Sequence, residues 1–462
     1  MSVGPRITLS NPVRKLGRMD YERCAALHNE IYRLSWREYY PLPHITWWEY
    51  FSPSHKITET LDPSLIEFLK LAFFQPKDEL KDPVERPALF YWIFGLNTPD
   101  VFFETFVEEL YPGRFVWLYC TTGYNMGDER GIVYDQEESL AAFIGHKFEE
   151  SPMCIHGWGF KPLEVILDAY LDMIDEGKVS LMCANSPDWP GVMKPWVLHP
   201  YTKVDVDKAL SAMQRLLEAI QTRQPDREAT NSFNPWSDLD LLTSISLPPK
   251  TFIHDFLTGL SSQKIPFRYI APGIRLPTVS EFAAQPYLGT YPTNDPTSLP
   301  LLLFYTDNKK GLGRGLHPLL PPPPPPSYPP PSNIPELPAG LYIESIHSRT
   351  NRAFSNSCYL LLPFKIGKHG WTRTSDGAQT GILIEEVESH PEGDDQSLYQ
   401  SGLNGFGDRG MVQLDKVLLR WAQMVEAGEW EVGEDGVVDK IERFKDADTE
   451  MHWWKYCIPP SW

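Results

Sequence analysis

The clearest periodic pattern in the chain is KPLEVILDAYLDMIDE, residues 161–176. Leu163, Ile166, Leu167, Tyr170, Leu171 and Ile174 recur there at i, i+3, i+4, i+7, i+8 and i+11. That spacing gathers six apolar side chains on one face of a helix. Val165, Ala169 and Met173 add a second stripe, so the helix is expected to be covered on two sides. Pro162 suits its first turn and Gly177 its end.

Similar arguments predict other elements. Helices are expected from residue 18 to about 38, after Asp62-Pro63, after Thr98-Pro99 through VFFETFVEELY, from an Asp205 cap to Arg223, at 250–260, and from Leu414 to a stop at Gly428. IERFKDADTEMHWWKYCI also has a helical pattern. FVWLYC at 115–120, VSLMCA at 179–184 and LLLFY at 301–305 have the β-branched and aromatic content of strands. LYIESI, YLLLPFKI and GILIEEVE have strand composition as well. They follow one another closely enough to form an antiparallel sheet. Trp47, Trp48, Tyr50 and Phe51 crowd into five positions, as an aromatic anchor of a core does. The polar stretch 224–238 is expected to be an exposed connection.

One stretch interrupts all periodicity. LLPPPPPPSYPPP at 319–331 holds six consecutive prolines at 321–326, which cannot donate backbone hydrogen bonds and are locked near the polyproline II φ. No helix or sheet passes through it. The expected fold class is therefore α+β, with a mainly helical part over 1–225 and a proline-rich mixed segment over 226–315 packing on it. An exposed polyproline loop over 316–338 follows. The acidic α+β part over 339–462 comes last, with a smaller antiparallel sheet and closing helices. Residues 381–462 hold 18 Asp and Glu against 7 Lys and Arg. No internal repeat is apparent.

Composition narrows the classes of function. The 462 residues are 42% hydrophobic, enough to build a real core, and the formal net charge is −19. Such a charge repels polyanions, and no basic run offsets it, so nucleic acid and anionic membranes are disfavoured as partners. No stretch of eighteen apolar residues could span a bilayer, and the N-terminal region has no apolar core of a secretory signal. Six widely spaced cysteines without a CxxC pair read as reduced thiols of a cytoplasmic protein, with the nucleus as the other compartment.

Four groups of residues invite a chemical reading. Pro325, Pro326 and Tyr328 within PPSY match the PPxY pattern read by WW domains. There a polyproline II helix presents rings to an aromatic groove and the tyrosine fills a second pocket. Glu164, Asp168 and Asp172, with Asp175 beyond, form an acidic row that could hold Mg²⁺ or Mn²⁺. The row lacks an adjacent aspartate pair and a second acidic motif, so a solvated helix face is the simpler expectation. Cys154, His156 and Cys183 bring thiols and an imidazole close in sequence, and His254-Asp255 is a further pair. Their spacing suits neither a metal site nor an assured nucleophile. Gly311, Gly313 and Gly315 precede prolines instead of a helix, so they do not form a phosphate loop. Signatures of common hydrolases, zinc proteases and nucleotide-binding enzymes are missing, and no cofactor is expected.

The ending GEWEVGEDGVVDKIERFKDADTEMHWWKYCIPPSW, together with KPLEVILDAYLDMIDEGKV and FRYIAPGIRLPTVSEFAAQPY, resembles a family of proteins from filamentous fungi for which no activity is known. The resemblance implies a fungal intracellular protein and carries no catalytic residue. Two functions follow as expectations. The first is a non-catalytic interaction or accessory protein recruiting WW-domain partners. The alternative is an enzyme or small-molecule binder of fungal specialised metabolism, with an aromatic pocket involving Trp47, Trp48 or Trp158.

Overall fold

A computed structural model describes residues 4–37, 45–74, 87–105, 108–109, 111–121, 131–144, 159–183, 192–225, 234–237, 247, 249–286, 300–307, 338–343, 354–374, 377, 397–399, 405–407, 412–458 and 462. The chain forms two compact units. Unit 1 comprises Met1–His199, Gly402–Gly410 and Pro460–Trp462, and unit 2 comprises Pro200–Ser401 and Met411–Pro459. Both contain helices and antiparallel sheets, so the class is α+β.

Unit 1 contains helices α1 (Tyr21–Ser35), α2 (Trp47–Phe51), α3 (His55–Thr60), α4 (Pro63–Leu71) and α5 (Leu163–Asp175). Strands β1 (Ile93–Leu96), β2 (Phe115–Thr121), β3 (Gly131–Asp135) and β4 (Leu140–Ile144) make one antiparallel sheet in chain order. A second sheet has the order β5 (Val179–Leu181), β7 (Trp196–Leu198), β6 (Val192–Met193). The first half of the chain is thus more sheet-rich than its helical patterns predict. VFFETFVEELY is the main reason. Among the described residues only a 3-10 turn forms there, at Pro99–Val101, and Phe102 turns inward to stack on the fully buried Trp47. Packing of one aromatic pair overrides the helical propensity of a short segment.

The acidic-row helix forms as its spacing predicts. In α5 Leu163, Ile166, Leu167, Tyr170 and Leu171 are buried, as are Ala169 and Met173 of the second stripe, while Val165 is half-buried. Gly177 adopts φ 73°, and the N–H groups of Gly177 and Lys178 reach back to Ile174 and Met173. This left-handed turn satisfies carbonyls at the helix end.

Unit 2 contains α6 (Lys203–Arg223), α7 (Phe252–Leu260), α8 (Val279–Ala283), α9 (Leu414–Glu426) and α10 (Trp453–Tyr456). Its eight-stranded sheet has the order β13 (Ser397–Leu398), β12 (Cys358–Leu361), β11 (Gly340–Ile343), β10 (Leu301–Thr306), β9 (Ile274–Arg275), β8 (Tyr269–Ala271), β15 (Gly436–Val437), β14 (Val432–Gly433). All its pairings are antiparallel except that of β15 with β8. The strand expected at GILIEEVE lies outside the described residues.

The boundary between units falls before α6, not at residue 225. The reason is that α6 packs on α9 and α7, and Val206, Met213, Leu216 and Ile220 enter the core of unit 2. Thr202, not Asp205, caps α6. Asp205 completes the capping box three residues on. Trp236, in the segment expected to be exposed, is fully buried beside Phe282 and Phe304. At the centre of this core Trp421 meets the rings of Phe304, Trp430 and Phe444, and its Nε1 donates to Tyr399 Oη at 3.0 Å. Trp421→Ala is expected to destabilise unit 2 by about 3–5 kcal/mol through the cavity and the orphaned hydroxyl. Urea denaturation read by tyrosine and tryptophan fluorescence measures the loss.

Candidate functional site

The proline-rich stretch belongs to one connection in unit 2, and its described ends are held together. β10 and β11 pair antiparallel with Tyr305 opposite Gly340, so the chain leaves the sheet after Thr306 and returns at Ala339. Thr306 Oγ1 donates to the Ala339 carbonyl at 3.2 Å, and Tyr342 Oη donates to that of Pro338 at 2.8 Å. Gly340 has φ 152°, and a Cβ there would lie 2.3 Å from the Phe304 carbonyl oxygen. Only glycine permits that approach. Pro325, Pro326 and Tyr328 themselves lie outside the described residues.

Arg275 anchors the sheet where this connection departs. Its Nη1 and Nη2 grip both oxygens of Glu281 at 2.8 and 2.7 Å, and its Nε donates to Asp307 at 2.7 Å. Asp307 also accepts from the Tyr269 hydroxyl. Glu281 is held from behind, because it completes the capping box of α8 with Thr278, and Tyr305 Oη donates to its backbone carbonyl. Buried arginine demands such partners, since an unpaired guanidinium out of water costs several kcal/mol. Nearby, the Gln285 amide donates to the Leu302 carbonyl and accepts from the Leu302 N–H.

Unit 1 gathers a second set of ionisable groups, on α1, α5 and β2. Cys24 Sγ lies 3.6 Å from Glu164 Oε2, and burial pushes up the pKa of both groups. The thiol is therefore protonated and inert as a nucleophile. One turn along α1, His28 sits between Tyr119 Oη at 3.1 Å and the Phe73 carbonyl at 2.9 Å. A carbonyl only accepts, so Nε2 carries the proton and Nδ1 accepts from the tyrosine. Burial lowers the His28 pKa to about 4.

The acidic row of α5 is not the solvated face expected of it. Glu164 and Asp168 are only 3% and 5% exposed. Arg6 spans the rest of the row, with Nε on Asp168 at 2.6 Å, Nη1 on Asp175 at 2.7 Å and Nη2 on Asp172. A guanidinium thus stands where a metal was considered. Among the described residues no three acidic, histidine or cysteine side chains gather to hold a metal ion.

The remaining candidates are distributed widely. Trp47 stacks on Phe102 and donates to the Asn97 carbonyl, so it is core and not the wall of a pocket. Trp48 is half-buried beneath the Lys70 ammonium. An open groove of about 640 Å³ between α1 and α4 has Glu22, Glu30, Arg33 and Lys70 in its lining, and its one aromatic residue is Phe73. Cys154, His156 and Trp158 lie outside the described residues, and Cys183 is exposed. His254 and Tyr201 both contact the Asp255 carboxylate, at 3.2 and 2.9 Å. Ser180 Oγ on β5 lies 2.7 Å from Nε2 of His199, just after β7, but among the described residues no carboxylate orients the other imidazole nitrogen. That pair lacks the third member of a nucleophilic triad.

No protein-family model matches the chain, and no curated protein or solved structure matches it. Among the described residues no helix is long and apolar enough to cross a membrane.

Sequence reasoning missed Arg275. A lone arginine between Ile274 and Leu276, followed by the Thr278-x-x-Glu281 box, was the available signal. Its pairing also sets a pH dependence. Arg275 pulls the Glu281 pKa from 4.5 to about 2. A carboxylate whose folded pKa lies below its unfolded value stabilises the fold above the unfolded value. That contribution is lost as pH falls from about 4.5 toward 2. Glu281→Gln is expected to be less stable at neutral pH and to lose less stability across that acid window, as read by unfolding midpoints in urea. His28 acts in a higher window. Its folded pKa is depressed from 6.5 to about 4, so the unfolded chain binds the extra proton and stability falls as pH drops through that range. His28→Leu is expected to lack this decline in the same titration.

Proposed function

We propose that the protein is a non-catalytic interaction or accessory protein that recruits a WW-domain partner through Pro325, Pro326 and Tyr328. The observation that carries this reading is the pinned exit and return of the chain at Thr306 and Ala339. The stretch from 308 to 337 thereby belongs to the single connection between two strands that pair with each other. A connection of that length without an apolar pattern is best accounted for by recognition. Its prolines settle much of the conformational entropy before a partner binds. Among the described residues Arg6, His28 and Arg275 are enclosed by protein partners, which supports a non-catalytic role over the enzyme reading.

Two further parts of the proposal rest on sequence. Six widely spaced cysteines without a CxxC pair favour a cytoplasmic protein. Membership in a fungal protein family rests on the three segments quoted above. A WW-bearing ubiquitin ligase is the partner class we favour, with this protein as its substrate or adaptor.

The test uses the full chain and an array of purified WW domains. At least one domain is expected to bind, with Tyr328→Ala weakening it tenfold or more, on the order of the loss when a buried aromatic anchor is truncated. Absence of binding by any domain, or equal binding by the variant, would sink the reading.

A further inference from the structure

The loop over residues 367–372 in unit 2 is wound around one buried carboxylate. Asp448 ends a 3-10 helix spanning Ile441–Asp448. One of its oxygens accepts from the backbone N–H groups of Gly367 and His369 at 3.1 and 2.9 Å. The other accepts from those of Trp371 and Thr372 at 3.0 and 3.2 Å. Gly367 and Gly370 supply the left-handed turns, at φ 94° and 72°. The amides converge inward, and Lys368 and His369 are exposed. Four charge-assisted hydrogen bonds give the loop a fixed shape.

That shape places Arg373. Its Nη1 donates to the Gly370 and Thr372 carbonyls at 2.7 and 3.3 Å, and its guanidinium lies 4.8 Å from the Trp453 ring and 6.0 Å from the Trp371 ring. Among the described residues no carboxylate pairs with Arg373, and its Nε and Nη2 make no hydrogen bond. A half-buried guanidinium held by two indoles and two carbonyls is already oriented, with one edge unused. Arg275, Arg114 and Arg6 each engage two or more carboxylates, whereas Arg373 engages none among the described residues.

The surroundings match an anion with apolar neighbours. Residues 365–373 carry Lys365, Lys368 and Arg373 and no Asp or Glu, in a chain of net charge −19. Next to Trp453 in sequence, Trp454 and Met451 are 56% and 73% exposed, and the Lys455 ammonium lies 5.6 Å from the Trp454 ring centroid and adds a cation there. Glu450 and the Arg443-paired Asp446 lie close in sequence, so the cationic area is local. Nucleic acid fits poorly, because a phosphate backbone needs a track of cations and would meet the acidic remainder of the chain. One planar fork suits one carboxylate.

We propose that this surface binds an acidic peptide segment of a partner protein. A Glu or Asp carboxylate takes the unused edge of Arg373, the exposed Lys368 lies beside it on the same loop, and an apolar side chain covers Trp454 and Met451. Asp448 is a positioning residue, acting only by shaping the loop.

The experiment measures fluorescence anisotropy of a short fluorescein-labelled peptide of alternating glutamate and leucine on the full chain at low salt. A lysine–leucine peptide and oligothymidylate are run in parallel. The glutamate peptide is expected to bind saturably, weaken as salt rises, and lose affinity about tenfold in Arg373→Gln. Because that variant also removes stacking, Lys368→Glu provides a second reading on an exposed side chain. It is expected to weaken binding several-fold with an unchanged unfolding midpoint. Absence of saturable binding, equal binding of the lysine peptide, preference for oligothymidylate, or undiminished binding by both variants would overturn the proposal.

Discussion

Arg275 has to be charged and enclosed at the same time, and the sheet of unit 2 depends on how that demand is met. A guanidinium cannot shed its proton to escape desolvation, so every donor placed out of water needs an acceptor. Glu281 supplies two and Asp307 a third, which ties the start of α8 and the end of β10 to β9. Tyr269 then braces the Asp307 carboxylate, and Tyr305 holds the backbone carbonyl of Glu281. The strand pairing that returns the chain after the proline-rich stretch is thereby fixed at its open end, where a hairpin with a long connection is otherwise weakest.

The same principle organises the other polar clusters. Asp448 is sheltered by four amides, His28 by a hydroxyl and a carbonyl, and Arg6 by three carboxylates. Each is a buried or half-buried group whose hydrogen-bonding capacity is filled from distant parts of the chain. Filled groups fix structure and are poor reagents: the Cys24 thiol is held protonated, and the His28 imidazole is neutral and enclosed. Chemistry for recognising another molecule is therefore to be sought where a polar group is oriented but unfilled. The Arg373 edge meets that description.

Legibility in the sequence follows the range of the interactions. The helices at 163–175, 203–223 and 414–426 could be read from spacing because their burial pattern repeats over several turns. The hairpin of β14 and β15 is an equally local feature, turning at Asp435-Gly436 with Gly436 at φ 96°. VFFETFVEELY and Trp236 misled because one aromatic contact decides each, and neither Phe102–Trp47 nor Trp236–Phe304 leaves a local periodic trace. The acidic row was noticed, yet its partner Arg6 lies more than 160 residues upstream, so a clamp read as a solvated face. Asp448 was invisible for a similar reason, since its four amide partners lie 76–81 residues upstream. The proline run is a purely local feature, because each pyrrolidine ring restricts its own φ.

The two proposed recognition features reach pre-organisation by opposite means. PPSY needs no tertiary support, since pyrrolidine rings restrict φ residue by residue and leave little entropy to lose on binding. Arg373 needs a great deal, because its long side chain is stilled by the Gly370 and Thr372 carbonyls and the Trp371 and Trp453 rings, and the loop by Asp448. Denaturation should thus separate them. The first is a property of the chain and outlives the fold, whereas the second exists only while the carboxylate of Asp448 remains enclosed. A partner using both would be held tightly by the native protein and would keep its grip on the proline segment alone once unit 2 unfolds, as expected when two weak contacts on one chain act together.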